Sequence, residues 1–192
     1  MSIMSKAGSK FSYWNRQNKL NYIEKFISKK SIESCLIVGA SPMSSGRPFQ
    51  NFIEIGIVRL LGENVVVSGI EEHGNGWANW VCADGQELPF PNKSFDLVLS
   101  NAVVEHVGDR WNQKRFIDEH DRVGRNWILT TPNRLFPVES HPYLLFKHMR
   151  EGYKVPGVTR LMSKPDLQEI LPNNSVIIGS KWAPTFIVHN AN

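Results

Sequence analysis

The chain is most constrained by its short apolar runs, each of which stops abruptly at a glycine, a proline or a polar residue. Cys35-Leu36-Ile37-Val38 ends at Gly39, Val65 to Ile70 stops at Glu71, and Trp80-Val81-Cys82-Ala83 stops at Asp84. Phe95 to Ser100 gives way to Asn101, and Trp127 to Thr131 is closed by Pro132. Runs this short and continuous read as strands buried on both faces of a parallel sheet. Helical spacing fills several gaps between them. Leu20, Ile23, Phe26 and Ile27 share a face, as do Trp111, Phe116, Ile117, His120 and Val123. Phe49, Phe52, Ile53, Leu60 and Leu61 mark another helix, which Gly62 can terminate. This alternation predicts an α/β fold: a doubly wound, mainly parallel, Rossmann-like sheet with helices on both faces. One connection breaks the pattern, because His73-Gly74-Asn75-Gly76 is too short and glycine-rich for a crossover helix.

Outside that frame, residues 1–18 show no period and read as an arm or a lead-in helix. A helix is expected near Tyr143 to Arg150, and another after Ser163, with Pro165 and Asp166 in its first turn. Val176 to Ile178 and Phe186 to Val188 read as closing strands. With 192 residues, one domain spanning 1–192 is expected. No apolar run approaches the roughly 18 residues of a membrane span. Met1 to Lys10 lacks the apolar core of a secretory signal, so a cytoplasmic location is expected. Cys35 and Cys82 lie far apart with no C-x-x-C spacing; buried free thiols are expected rather than a disulfide or a metal site. The net charge of +4 gathers partly in the N-terminal lysines, which a solvated helix face explains as well as an anionic partner does.

Ligands of doubly wound sheets bind beyond the carboxyl ends of the strands. There the chain places Gly39, Glu71, Asp84 and Asn101. A glycine admits close backbone approach, and carboxylates can accept hydrogen bonds from hydroxyls or an exocyclic amine. The stretch Ala83-Asp84-Gly85-Gln86-Glu87-Leu88-Pro89-Phe90-Pro91, followed by Ser94-Phe95-Asp96-Leu97-Val98, carries the most specific pattern. Ser100-Asn101-Ala102-Val103-Val104-Glu105-His106-Val107 and Thr130-Thr131-Pro132-Asn133-Arg134 extend it. Together these segments resemble the class I S-adenosylmethionine-dependent methyltransferases of the small-molecule, methyltransferase-11-like family. The resemblance implies a seven-stranded sheet and S-adenosylmethionine as cofactor. It further implies a binding set of Gly39, Ser41, Glu71, Asp84, Gly85, Asn101 and Ala102, with Glu71 on the ribose and Asp84 on the adenine. The first loop departs from the family: Ile37 stands where an acidic residue is usual, and Ser41 and Met43 where glycines are usual.

Methyl transfer asks chiefly for alignment, and a hydroxyl acceptor gains from a general base. His106 and His141 are the candidates for that base. His106 reads first as a structural histidine capping its turn, and His141 as well as a packing residue in the loop Phe136 to Pro142. His120 reads as core, Trp80 as core, and Trp77 as a residue able to stack on adenine. Glu105 reads as a rim carboxylate or as a helix-start carboxylate favoured by the dipole. Residues 132–172 are expected to form the acceptor side. The expected activity is methyl transfer to a small-molecule or glycan acceptor, and the polysaccharide association of similar sequences suggests surface-polysaccharide synthesis. The alternative is a methyltransferase-like, non-catalytic binding or scaffold protein with a degenerate cofactor loop. A nucleic-acid acceptor is disfavoured, since Ser100-Asn101-Ala102-Val103 replaces the Asn/Asp-Pro-Pro-aromatic signature of many base-amine methyltransferases. The oligomeric state leaves no trace in the sequence.

Overall fold

The computed structural model describes residues 3–43, 50–74, 76–139, 144–145 and 157–191. Helix α1 (Ile3–Lys30) precedes β1 (Cys35–Val38), α2 (Phe52–Leu61), β2 (Val65–Gly69), β3 (Trp80–Cys82) and β4 (Phe95–Asn101). After these come α3 (Arg110–Val123), β5 (Gly124–Pro132), a small hairpin of β6 (Val138–Glu139) with β7 (Leu144–Leu145), α4 (Lys164–Ile170), β8 (Ser175–Ile178) and β9 (Thr185–Asn190). Seven strands form one sheet in the order β3-β2-β1-β4-β5-β9-β8. The first five are parallel, and β9 runs antiparallel to both β5 and β8. The order reverses at β1, so a crevice opens between the carboxyl ends of β1 and β4.

Each strand feeds both faces because successive side chains alternate. Cys35 and Ile37 join Val65, Val67, Leu97 and Leu99 under α1 and α2, through Ile23, Phe26, Ile27, Ile53 and Ile57. Leu36 and Val38 join Val98, Trp127 and Leu129 under α3 and α4, through Phe116, Ile117, Leu167 and Ile170. Both faces are thus covered, as the apolar runs require. The Ser163 hydroxyl caps α4 and Asp166 completes the reciprocal box.

Several expectations are corrected. Of the arm or lead-in helix expected before Lys19, the described residues form a helix, continuous with the one after it as a single element, Ile3–Lys30. β5 begins at Gly124, because Asn126 donates to the Asp96 carbonyl (3.0 Å) and Arg125 pairs with the Asp96 carboxylate (2.5 Å), so polar residues enter the strand. Cys35 is buried, and burial pushes its thiol pKa up; Cys82 lies exposed on the edge strand β3. Trp111 is 71% exposed although it shares its helix with buried Phe116 and Ile117. Leu144 and Leu145, expected in a helix, pair with Val138 and Glu139 as a strand; the rest of that expected helix lies outside the described residues.

The irregular β2–β3 connection is filled by a side chain instead of a helix. A Cβ at Gly69 or Gly74 would come within 2.5 Å of the Trp80 ring, so both glycines exist to admit it. The Trp80 indole N–H donates to the Glu71 carbonyl (3.1 Å), which fixes the loop beyond β2.

Candidate functional site

A cavity of about 530 Å³ opens at the carboxyl edge, where the sheet order reverses. Its lining includes Gly39, Ser41, Glu71, Asp84, Gly85 and Ala102, six of the seven residues expected to hold a cofactor, together with His106. They come from the four turns beyond β1, β2, β3 and β4.

Gly39 has φ +80°, and a Cβ there would lie 2.5 Å from Val103, so the turn after β1 packs directly on the turn after β4. The N–H groups of Gly39 and Ala40 both donate to the Ser68 carbonyl (2.8 and 3.0 Å). Gly85 meets the floor in the same way, since a Cβ would sit 2.4 Å from the Phe116 ring. Ala102 is left-handed at φ 57°, a conformation that costs a non-glycine residue about 1–3 kcal/mol. Its N–H is held by the Thr130 carbonyl (2.9 Å), so the sheet itself maintains the strained bend.

The departure at the first loop is compensated by residues that the sequence reading missed. Asn51, left-handed at φ 53°, accepts from the Ser41 N–H (3.3 Å) and donates to the Ser41 carbonyl (2.8 Å). The Trp77 indole also donates to that carbonyl (3.0 Å). Trp77 therefore pins the loop and is not among the cavity-lining residues, contrary to its expected stacking role. An Asn able to adopt the left-handed region, ten residues beyond a loop lacking its usual glycines, was the available signal.

The signature stretch is anchored from below. Asp84 accepts the Gln86 N–H on Oδ1 (2.9 Å), shaping its own turn. Arg122 donates to the carbonyls of Leu88 (2.9 Å) and Phe90 (2.8 Å), and Glu119 accepts the Leu88 N–H (2.8 Å). The Arg122 guanidinium holds the Glu119 carboxyl below its usual range. His120, one residue along, is fully buried against Phe116, and burial drops its pKa to about 4.

Asn101 is the exception among the expected cofactor residues, for it does not line the cavity. Its Oδ1 accepts from the Lys19 ammonium (2.7 Å) and the Thr130 hydroxyl (2.8 Å), and its Nδ2 donates to Glu54 Oε1 (3.0 Å). Lys19 is only 8% exposed, and burial lowers its pKa to about 8; burial likewise raises that of Glu54. Neither residue was singled out from the sequence, where Lys19 merely belonged to the basic N-terminal stretch.

Glu105 sits at 0% exposure in the 3-10 turn Val104–His106, neither on a rim nor at a long helix's start. Its Oε2 accepts from the Thr131 hydroxyl (3.1 Å), and its carbonyl accepts the N–H groups of Thr159 and Arg160. His106, next in the turn, is exposed and uses Nδ1 toward the Gly157 carbonyl. A carbonyl can only accept, so Nδ1 is the donor in that contact. His141 lies outside the described residues, as does Ser44-Ser45-Gly46. Among the described residues no cluster of His, Cys, Asp and Glu is arranged to hold a metal, and no helix is long and apolar enough to cross a membrane.

A family model described as a methyltransferase domain matches residues 58–126. A probable S-adenosylmethionine-dependent methyltransferase of Mycolicibacterium smegmatis is 33% identical over 88 residues, which cover 44% of this chain and 30% of that protein. One from Mycobacterium tuberculosis is 42% identical over 52 residues, covering 26% of this chain and 18% of that protein. The chain thus spans under a third of the length of the curated relatives it matches. Among solved structures, a SAM-dependent methyltransferase from Archaeoglobus fulgidus superposes with a TM-score of 0.61 at 13% identity, covering 91% of this chain and 93% of that one. Magnesium protoporphyrin IX methyltransferase from Synechocystis, solved with bound SAM, gives 0.58 at 14% identity over 95% and 82% of the two chains. At such identities the likeness establishes the fold.

Proposed function

We propose, from the premise that residues 58–126 carry the methyltransferase-domain pattern within a methyltransferase fold, that this protein transfers a methyl group from S-adenosylmethionine to a hydroxyl of a small-molecule or glycan acceptor. The observation that carries this reading is the single cavity at the strand-order reversal, which unites Gly39, Ser41, Glu71, Asp84, Gly85 and Ala102. The residues suit the cofactor: two carboxylates can receive the ribose hydroxyls and the adenine amine, and glycine-lined turns leave room for backbone approach. When bound, the cofactor supplies an already activated methyl on a sulfonium.

The chain's own part is placement. Glu71 and Asp84 hold the nucleoside end, while the Gly39–Ser41 turn and the bend at Ala102 confine the other end. Orientation of this kind contributes roughly 7–11 kcal/mol to bringing two reactants into line. His106, which lines the cavity, serves as general base toward the acceptor hydroxyl, and its removal lowers turnover by about 10²–10⁴. His141 is the second candidate for that step. The segment from Thr131 to Tyr143 and the helices after it form the acceptor side, consistent with a role in surface-polysaccharide synthesis in the cytoplasm. A non-catalytic binding role, which the altered first loop suggests, is disfavoured because Asn51 and Trp77 rebuild that loop around the cavity.

Calorimetry with S-adenosylmethionine and S-adenosylhomocysteine tests the reading without an acceptor. Saturable binding of both is the expected result. No binding of either overturns it.

A further inference from the structure

At the edge of the sheet opposite β3, strand β8 pairs only with β9 among the described residues. Its four residues, Ser175-Val176-Ile177-Ile178, carry no charge, no proline and no break in register. Proteins usually blunt an edge strand with one of those devices. The ladder decides which of its backbone groups lie open. The Asn174 carbonyl accepts the Ala191 N–H (2.7 Å), so this pair, one step before Ser175 and Asn190, is a bonded one. Opposed pairs of an antiparallel ladder alternate between bonded and non-bonded. Val176 and Ile178 therefore bond to β9, while Ser175 and Ile177 turn outward. The Pro172 carbonyl takes back the Ser175 N–H (3.0 Å), and Ile177 presents both its N–H and its carbonyl at the open edge.

A groove runs along each face of this edge. On the α1 face, Val176 and Ile178 line a cavity of about 610 Å³ with the rings of Tyr22, Phe26 and His189, the last two 5.1 Å apart between centres. On the α4 face, Ser175 and Ile177 line one of about 400 Å³ with Leu171 and Pro172. A strand laid beside β8 sends successive side chains to alternate faces, and so into the two grooves in turn. Both grooves are basic. Lys25 and Lys29 line the first, Lys164 lines the second, and no aspartate or glutamate lines either. None of these three lysines forms an ion pair among the described residues. A second copy paired symmetrically through β8 would set the lysines of the two chains on the same face of the joined sheet, like charge toward like. An acidic segment meets them with opposite charge.

We propose that β8 is a docking edge for an extended, acidic segment of a partner polypeptide, which adds to the sheet as a further strand. The segment exchanges hydrogen bonds with Ile177, fills both grooves with alternate side chains and sets its carboxylates on Lys25, Lys29 and Lys164. The cofactor cavity lies beyond β1 to β4, away from this edge, so the docking proposal stands independently of the methyl-transfer reading.

The test uses the full chain and a fluorescein-labelled peptide of alternating glutamate and valine, blocked at both ends. Saturable binding is expected, and with it about tenfold slower hydrogen exchange at the Ile177 amide, read by NMR on the unaltered protein. The amides of Val176 and Ile178, already bonded to β9, change less. The same peptide N-methylated throughout binds about tenfold more weakly, since it has no N–H to give. A lysine–valine peptide does not bind. Lys25→Gln with Lys29→Gln, both exposed on α1, weakens binding of the acidic peptide several-fold. The proposal is overturned if the acidic peptide does not bind, or binds without slowing exchange at Ile177. It is equally overturned if the lysine–valine or N-methylated peptide binds as well, or if the double variant binds unchanged. Self-association that protects the Ile177 amide without any peptide also overturns it, because the edge is then an interface between copies of this chain.

Discussion

On one side of the carboxyl edge, the turns after β1, β2 and β3 are shaped by backbone and glycine. Gly39 packs on Val103, Gly69 under Trp80 and Gly85 on Phe116, each too close for a Cβ. On the other side, where β4 and β5 end beneath α1, side chains do the work. Lys19, Glu54, Asn101 and Thr130 form a buried charged cluster, and Glu105 is buried beside Thr131. The first arrangement tolerates almost no substitution. The second stores charge in a place where neighbouring residues can retune it. A nucleoside-binding wall that serves one cofactor suits the former, and an acceptor side that differs from enzyme to enzyme suits the latter.

The charged side gives the largest effect. Lys19→Met leaves Glu54 buried without its counter-ion and should cost about 3–5 kcal/mol in denaturant unfolding. Lys19→Met combined with Glu54→Leu should recover most of that loss, because the pair is removed together. If the double variant is no more stable than the single one, the cluster is not a coupled unit. Its pH dependence has a definite sign. The Lys19 pKa falls from 10.5 to about 8 on folding, so the unfolded chain binds more protons between those values. The penalty of burying the ammonium is full below pH 8 and relieved as pH rises toward 10.5. Native Lys19 should therefore contribute a rise in stability across that window, and Lys19→Met should lack it.

The glycine-built side should respond in affinity rather than in stability. Glu71→Ala, at an exposed wall position, should weaken S-adenosylmethionine binding by about one to two decades while leaving the melting temperature in place. Unchanged affinity would remove Glu71 from the ribose. Beneath the signature loop, His120 supplies a smaller, pH-limited effect. Its pKa drops from 6.5 to about 4 on folding, so stability falls as pH decreases from 6.5 toward 4 and the unfolded chain takes up the proton. His120→Phe should flatten that part of the stability profile; an identical profile would mean that another group governs it. Smallest of all, Trp77→Phe removes one hydrogen bond to Ser41, worth about 0.5–1.5 kcal/mol, and should loosen cofactor binding by tenfold or less.

This contrast also explains what the sequence disclosed. The sheet was legible because a strand covered on both faces must be continuously apolar, and each run ended where the chain turned toward the cavity. The place of Gly39, Glu71, Asp84 and Gly85 at the cavity edge was legible for the same reason. Asn101 was misjudged because position after a strand does not decide where a side chain turns, and Lys19 drew it the other way. Lys19 and Glu54 left no periodic signal: lysine on a helix usually faces water, and only the neighbours brought by the fold show otherwise. The first half of α1 was obscure because its aromatic residues stay largely exposed, away from the core that the second half packs on. Phe11 stacks on Phe136 with ring centres 5.7 Å apart, and Tyr13 meets Phe52 edge-on, while both remain substantially exposed.

Helix α1 is a single rod of 28 residues, about 42 Å long at 1.5 Å per residue. Its middle and second half pack on the core through Leu20, Ile23, Phe26 and Ile27, while Asn15 and Lys19 reach Thr185 and Asn101 at the ligand edge. Beyond Lys30 the chain turns at Ser31, left-handed at φ 49°. The helix that covers one face of the core therefore also holds Asn101 at the end of β4, so the core and the ligand edge of the sheet share one rigid element.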